Sequence, residues 1–262
     1  MTLPNSWAEV CSAKAVVMGL NRYAFRREYT AAKLAAVGFT NVEIVEAFDG
    51  FHGDVDSALD ALGVKFNSGL RPGHKGCSYT MMREWKRFLD SGDDYRLFFE
   101  DDAIPHLELG KGLGQRFWDA TPKDFDILYM GNMMGGNHPD LQDPKHLVVQ
   151  VPTYCLHAYI LTKKGAQRMF DLAAEYNKKG MALNMLDIQL VQWQVAGELN
   201  WQCWNGTWTP RSYPTFDGGL PWQHFQDIIT PQKDTGLFWQ NMRVGTTLEH
   251  PTLQLAMPQY SI

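Results

Sequence analysis

The sequence predicts an α/β protein. Three observations carry that reading. Near the start, an apolar run (Ala15, Val16, Val17, Met18, Leu20) is followed by a stretch with helical spacing and then by a second apolar run from Val42 to Ala47. Strand, helix, strand in that order is how a parallel sheet begins. Further on, the hydrophobic run Leu97-Phe98-Phe99 leads directly into Glu100-Asp101-Asp102. Finally, 262 residues with 45% apolar and 20% charged side chains suit a soluble enzyme with one well-buried core, as a single large domain or two tightly packed lobes.

Lys14 to Leu20 reads as a short buried strand. Asn21 can cap the helix that follows, where Phe25, Tyr29, Ala32 and Ala36 fall on one face and Gly38 marks the stop. Val42 to Ala47 is the second strand, ending in the turn signal Phe48-Asp49-Gly50. Residues 51 to 76 are rich in glycine and read as a loop with one short helix near Ser57 to Leu62. Ser78 to Ser91 is a helix, because Met81, Met82, Trp85, Phe88 and Leu89 recur at helical spacing before Gly92. Strands follow at Tyr95 to Phe99, Phe125 to Met130 and His157 to Thr162, then helices from Lys163 and from Asn184 to Val195. Beyond Glu198 the pattern loosens, and Trp201, Trp204, Trp208, Trp222 and Trp239 sit among Gly and Pro. There is no internal repeat.

Composition excludes several classes. Net charge is -5 and no long Lys/Arg run occurs, so nucleic-acid binding has no electrostatic support. The N-terminus lacks a signal-peptide pattern, and no apolar run approaches the roughly 20 residues of a membrane span. The expected compartment is the cytoplasm, with a peripheral membrane role left open. The four cysteines are widely spread with no C-x-x-C, which suits buried free thiols better than zinc or a redox motif. Asn205-Gly206-Thr207 matches a glycosylation acceptor, a triplet common by chance.

The sharpest chemical feature is Glu100-Asp101-Asp102 at the end of a buried strand. Ligands in open α/β sheets bind at the carboxyl ends of strands. Adjacent carboxylates repel one another, so a hard divalent cation is their natural partner, and a diphosphate can complete its shell. The competing reading is a solvated acidic turn.

Three segments resemble glycosyltransferase family 25, which includes lipooligosaccharide and collagen galactosyltransferases. The first is Asn21-Arg22-Tyr23-Ala24-Phe25-Arg26-Arg27 with the later Ala47-Phe48-Asp49-Gly50. The second is Gly76-Cys77-Ser78 leading through Trp85 to Phe99-Glu100-Asp101-Asp102, with Thr80-Met81 where the family has Ser-His. The third runs from Thr153 through His157-Ala158-Tyr159 to Gly165-Ala166, with a longer Thr153–His157 spacing than the family pattern. The resemblance covers about Ala15 to Val191, and Asp227-Ile228 is similar to a later element. It implies a GT-A type, Rossmann-like nucleotide-sugar-binding fold with a mixed, mainly parallel sheet. The donor half would lie at about 1–135 and the acceptor half at about 136–262.

The resemblance also implies a UDP-sugar donor, most often UDP-galactose, transfer with inversion, and Mn²⁺ or Mg²⁺ as cofactor. Asp102 would be the direct metal ligand, supported by Glu100 and Asp101, with His224 favoured over His250 as a further ligand. Asn21, Arg22, Arg26, Arg27 and His157 would face the donor; arginine forks suit diphosphate, and a solvated helix start is the alternative for them. An inverting transfer needs a base for the acceptor hydroxyl, and Asp187 is the candidate ahead of Asp217 and Asp227. Asn184 and Asp187 also have the spacing of a helix cap and its third-position acid, so both roles stay open. The acceptor would be a glycan, a lipid-linked glycan or a protein. A nucleotidyltransferase and a non-catalytic carbohydrate-binding protein are the alternatives.

Overall fold

A computed structural model describes residues 3–134, 146–205, 234–236 and 238–240. Helix α1 (Trp7–Ser12) comes first, capped by the Ser6 side chain on the Glu9 amide. Strand β1 (Ala15–Gly19) is buried throughout and passes through a single 3-10 turn (Asn21–Tyr23) into α2 (Ala24–Ala36). Then come β2 (Val42–Glu46), α3 (Val55–Ala61), α4 (Pro72–Leu89), β3 (Tyr95–Glu100) and β4 (Ala103–Pro105). After them lie α5 (Leu113–Ala120), β5 (Ile127–Met134), β6 (Val148–Val149), β7 (Thr153–Thr162), α6 (Lys163–Lys178), α7 (Leu186–Val195) and β8 (Trp201–Trp204). Short strands β9 (Asp234–Gly236) and β10 (Phe238–Gln240) complete the described elements.

The main sheet has the order β2-β1-β3-β7-β5-β8-β6, with β9 added beside β5. Strand β1 is parallel to both β2 and β3, and β5 is parallel to β8. Strand β7 is inserted antiparallel between β3 and β5, so β2, β1, β3, β5 and β8 all point the same way. This is the mixed, mainly parallel α/β sheet that the sequence predicts.

Both faces of the sheet are covered, and the strands divide their side chains between two cores. Val16, Met18, Phe98, Ile127, Tyr129 and Tyr159 pack on one face with Met82, Trp85 and Phe88 of α4 and Trp193 of α7. Val17, Leu97, Phe99, Leu128, Met130 and Ile160 pack on the other with Trp7, Leu34, Phe117 and Trp118. Two buried tyrosines among these layers are tied to neighbouring side chains. Trp85 Nε1 donates to Tyr159 Oη at 2.8 Å, and Gln194 Nε2 donates to Tyr129 Oη at 2.8 Å.

Several boundaries differ from the sequence reading. Helix α4 starts at Pro72, six residues before Ser78, because proline at the first helical position needs no amide partner. Gly76 within it is required by close packing: a Cβ there would come within 2.8 Å of Gly50 N and Phe48 O. Strand β7 starts at Thr153 rather than His157. The strand at Trp201–Trp204 and helices α1 and α5 are additional to the expected elements. Helix α7 starts at Leu186 after Met185, so Asn184 is not its cap; the Asn184 amide is taken by Gln189 Oε1 at 3.0 Å.

Candidate active site

Because β1, β2 and β3 are parallel, their carboxyl ends open onto one cleft. It is lined by Gly19, Arg22, Arg26, Phe48, Asp49, Gly50, Phe51, Cys77, Glu100, Asp101 and Asp102, among others. Alternation along β3 splits the acidic triplet. Phe98 belongs to the α4 face and Phe99 to the α2 face, so Glu100 turns toward α4 and Asp101 toward α2.

Helix α2 meets Asp101 and Asp102 with a buried cation. Arg26, 4% exposed, places Nη2 2.9 Å from Asp101 Oδ1 and 3.3 Å from Asp102 Oδ2. Arg27 binds the end of β1 instead: its guanidinium donates to Gly19 O at 3.2 Å and Asn21 Oδ1 at 2.6 Å. One turn later, Thr30 Oγ1 donates to the Asp101 carbonyl at 2.8 Å. Asp101 lies directly over Gly19, where an added Cβ would approach Asp101 Cβ to 2.6 Å. Gly19 is therefore glycine because a carboxylate occupies the space a side chain would need.

On the opposite wall, Arg22 pairs with Asp49, which also accepts from the Phe51 amide at 3.1 Å. Thr80 of α4 ties this turn down, accepting from the Phe48 amide at 2.8 Å and donating to Gly76 O at 2.8 Å. The Phe51 ring is 51% exposed at the rim. Cys77, one turn into α4, presents an exposed thiol to the cleft. The cleft walls packed around that thiol partly desolvate it and raise its pKa, and the negative charge of Glu100, Asp187, Asp102 and Asp101 raises it further.

The same crowding acts on the acids. Burial raises Glu100 well above the carboxylate range, reinforced by Asp102, Asp101 and Asp187 and opposed by Arg26. Burial lifts Asp101 to about 7 against the pull of Arg26 and Arg27. Asp187 is the member that sequence distance hid. It sits in the first turn of α7, yet its charge is felt by Glu100 and Cys77. Burial raises its pKa, while hydrogen bonds from the Ile188 and Cys155 amides and the nearby His74 lower it.

The structure thus brings together Arg22, Arg26, Glu100, Asp101, Asp102 and Asp187. Asn21 and Arg27 stand behind this group as supports. His157 is 0% exposed in the middle of β7 and does not line the cleft. His224, Asp217, Asp227, His250 and the tryptophans at 208 and 222 lie outside the described residues, as does the side chain of Trp239. Gly19, Asp49, Phe51 and Cys77 also line the cleft, and His74 acts on Asp187 through its charge; in the sequence only the Asp49-Gly50 turn and the Gly76-Cys77 pair signal them.

The donor set of the triplet is all oxygen, which is the chemistry of Mg²⁺ and Mn²⁺. Among the described residues no three His, Cys, Asp or Glu groups converge as a ready-made metal cage. A cation here would take one or two carboxylates and fill its shell from a ligand, the mode usual for phosphate-bound Mg²⁺. A larger groove of about 760 Å³ lies elsewhere, lined by Asp126, Lys164, Arg168, Glu198, Asn200 and Trp201 among others. It contains none of the acids of the triplet.

No family model matches the sequence. Among solved structures, the chain is similar to a glycosyltransferase involved in the glycosylation of the major capsid of PBCV-1, at 6% identity and TM-score 0.35. That match covers 63% of this chain and 66% of the other, just under two thirds of it. It is also similar to the galactosyltransferase LgtC, at 13% identity, TM-score 0.40 and 72% of each chain. A third similarity is to the inositol-1-phosphate CTP transferase from T. maritima, at 13% identity and TM-score 0.39, over 74% of this chain and 85% of that one. No helix among the described residues is long and apolar enough to cross a membrane.

Proposed function

We propose that this chain is a metal-dependent inverting glycosyltransferase that moves a hexose, galactose first among candidates, from a UDP-sugar to a hydroxyl of a glycan, glycolipid or protein. The observation that carries the reading is the meeting of Glu100, Asp101 and Asp102 with Asp187 at the carboxyl ends of the parallel strands, beside the buried Arg26. Two of the three segments similar to glycosyltransferase family 25 support it, since Arg22, Arg26, Asp49, Cys77 and Glu100 to Asp102 line this same cleft.

The residues divide the work by position. Glu100 and Asp102 would hold Mn²⁺ or Mg²⁺, and the fit rests on their oxygen chemistry and on the burial and neighbouring negative charge that together lift Glu100. The cation, when bound, would supply charge stabilisation to the departing nucleoside diphosphate. Asp101 is committed to Arg26 and lies under Gly19, so it orients rather than ligates. Arg22 lines the cleft wall beside Asp49 and would meet diphosphate oxygens. Asp187 would take the proton of the acceptor hydroxyl as its oxygen bonds to the anomeric carbon and the bond to the diphosphate breaks. Burial raises its pKa, which brings a carboxylate nearer to what a general base requires.

Calorimetric titration of UDP-galactose, with and without Mn²⁺, tests this on the wild type and Asp102→Ala. Binding that requires Mn²⁺ and falls by at least about 100-fold in the variant is the expected result. Failure of every UDP-sugar to bind with metal present would overturn it.

A further inference from the structure

We propose that Cys155 is a positioning residue, whose left-handed backbone aims an amide at the carboxylate of Asp187. Strand β7 breaks register with β5 just before the site. Tyr154 pairs with Met133 and Ala158 with Gly131, so β7 advances four residues while β5 advances two. The surplus forms a bulge, and bulges re-aim groups next to sites. Within it Cys155 has φ 67°, alone among the described non-glycine residues in taking a positive φ. L-residues other than Gly, Asn and Asp rarely adopt that conformation, because Cβ crowds the backbone. Such strain persists only where surrounding structure enforces it, and it clusters at functional sites.

At Cys155 the strained peptide has a recipient. Its N–H bonds to Asp187, which also accepts the Ile188 amide at 2.7 Å. Two backbone donors, one on the bulge and one on α7, fix the carboxylate within electrostatic reach of Glu100 and Cys77. The side chain of Cys155 is not what matters here. The backbone angle is, so glycine should serve equally well, whereas a β-branched residue should resist the left-handed region and turn the amide away.

The catalytic consequence rests on Asp187 acting as the base proposed above, and the experiment separates the two ideas. Hydrolysis of UDP-galactose to UDP and galactose, with water standing in for the acceptor hydroxyl and Mn²⁺ present, is measured for the wild type, Cys155→Gly, Cys155→Val and Asp187→Ala. Cys155→Gly should keep kcat within about twofold and melt at a higher temperature, since it removes strain. Cys155→Val should lose about tenfold in kcat with the donor KM nearly unchanged. In parallel, ¹⁵N-cysteine labelling gives four backbone amide signals, and Cys155→Gly identifies that of Cys155. Asp187→Ala should displace the Cys155 signal more than the other three. A Cys155 amide that ignores Asp187, or a valine variant with wild-type kcat, overturns the positioning role. Absence of both binding and UDP release with every UDP-sugar and Mn²⁺, with the amide shift present, overturns the transferase reading and leaves the contact standing. If the valine chain does not fold, glycine tolerance and the amide shift still decide.

Discussion

At the scale of single residues, the cleft is governed by charge held out of water. Asp101 shows it best. Arg26 and Arg27 favour its ionised form, yet burial and Asp102 lift it from the ordinary 3.8 to about 7. The folded state therefore holds this proton more tightly than the unfolded chain. The resulting stabilisation is complete below about pH 4 and is lost as pH rises through about 7. Asp101→Asn cannot titrate, so its stability relative to the wild type should improve between pH 5 and pH 8. Urea midpoints in EDTA at those two pH values measure this, and a constant difference would contradict the assignment. Gly19 and Asp101 form one unit in this respect, because the carboxylate fills the space where a side chain would stand.

At the scale of elements, the site depends on how closely the exit of β2 and the start of α4 approach. Pro72 begins the helix, Gly76 touches the backbone of Phe48 and Gly50, and Thr80 joins both segments through its hydroxyl. The contact places Cys77 and the Asp49 turn on the cleft wall. Gly76→Ala would force a methyl group against two backbones that cannot rotate away. It should cost about 1–3 kcal/mol and weaken binding of the proposed UDP-sugar donor, because the wall shifts with the helix. Gly92→Ala is the control, since its Cβ would meet nothing within 4 Å. Thermal melts of the two variants decide the point; equal melting temperatures would show that the contact is looser than described.

At the scale of the whole molecule, β7 joins the two stretches of sequence. It comes from beyond residue 150, yet it lies between β3 and β5, both from the earlier part. Phe98 stacks on Tyr159 with centroids 5.3 Å apart, and Tyr159 also binds Trp85. The central sheet should therefore open only with global unfolding. Native-state hydrogen exchange should find the amides of Leu97, Phe99, Ile160 and Leu161 among the slowest, with matching free energies. Faster exchange confined to β7 would instead mark the later stretch as a unit that opens by itself.

Much of this architecture can be read from local pattern. The runs at Ala15–Gly19 and Tyr95–Glu100 are apolar because both faces of those strands are covered, and the acids at the end of β3 mark its carboxyl edge. The period of α4 is equally plain from Met81 to Leu89, although its first turns are hidden by Pro72 and by glycines, of which Gly76 is there for packing. Other features have no local signal, because they arise between segments distant in the chain. That Arg26 rather than Arg27 reaches the acids follows from how α2 rolls onto β1 and β3. That His157 is buried while Asp187 joins the cluster follows from the antiparallel insertion of β7 and the packing of α7 against it. The positive φ of Cys155 leaves only the lengthened Thr153–His157 spacing as its trace, since backbone strain is imposed by tertiary contacts and not by the residue that bears it.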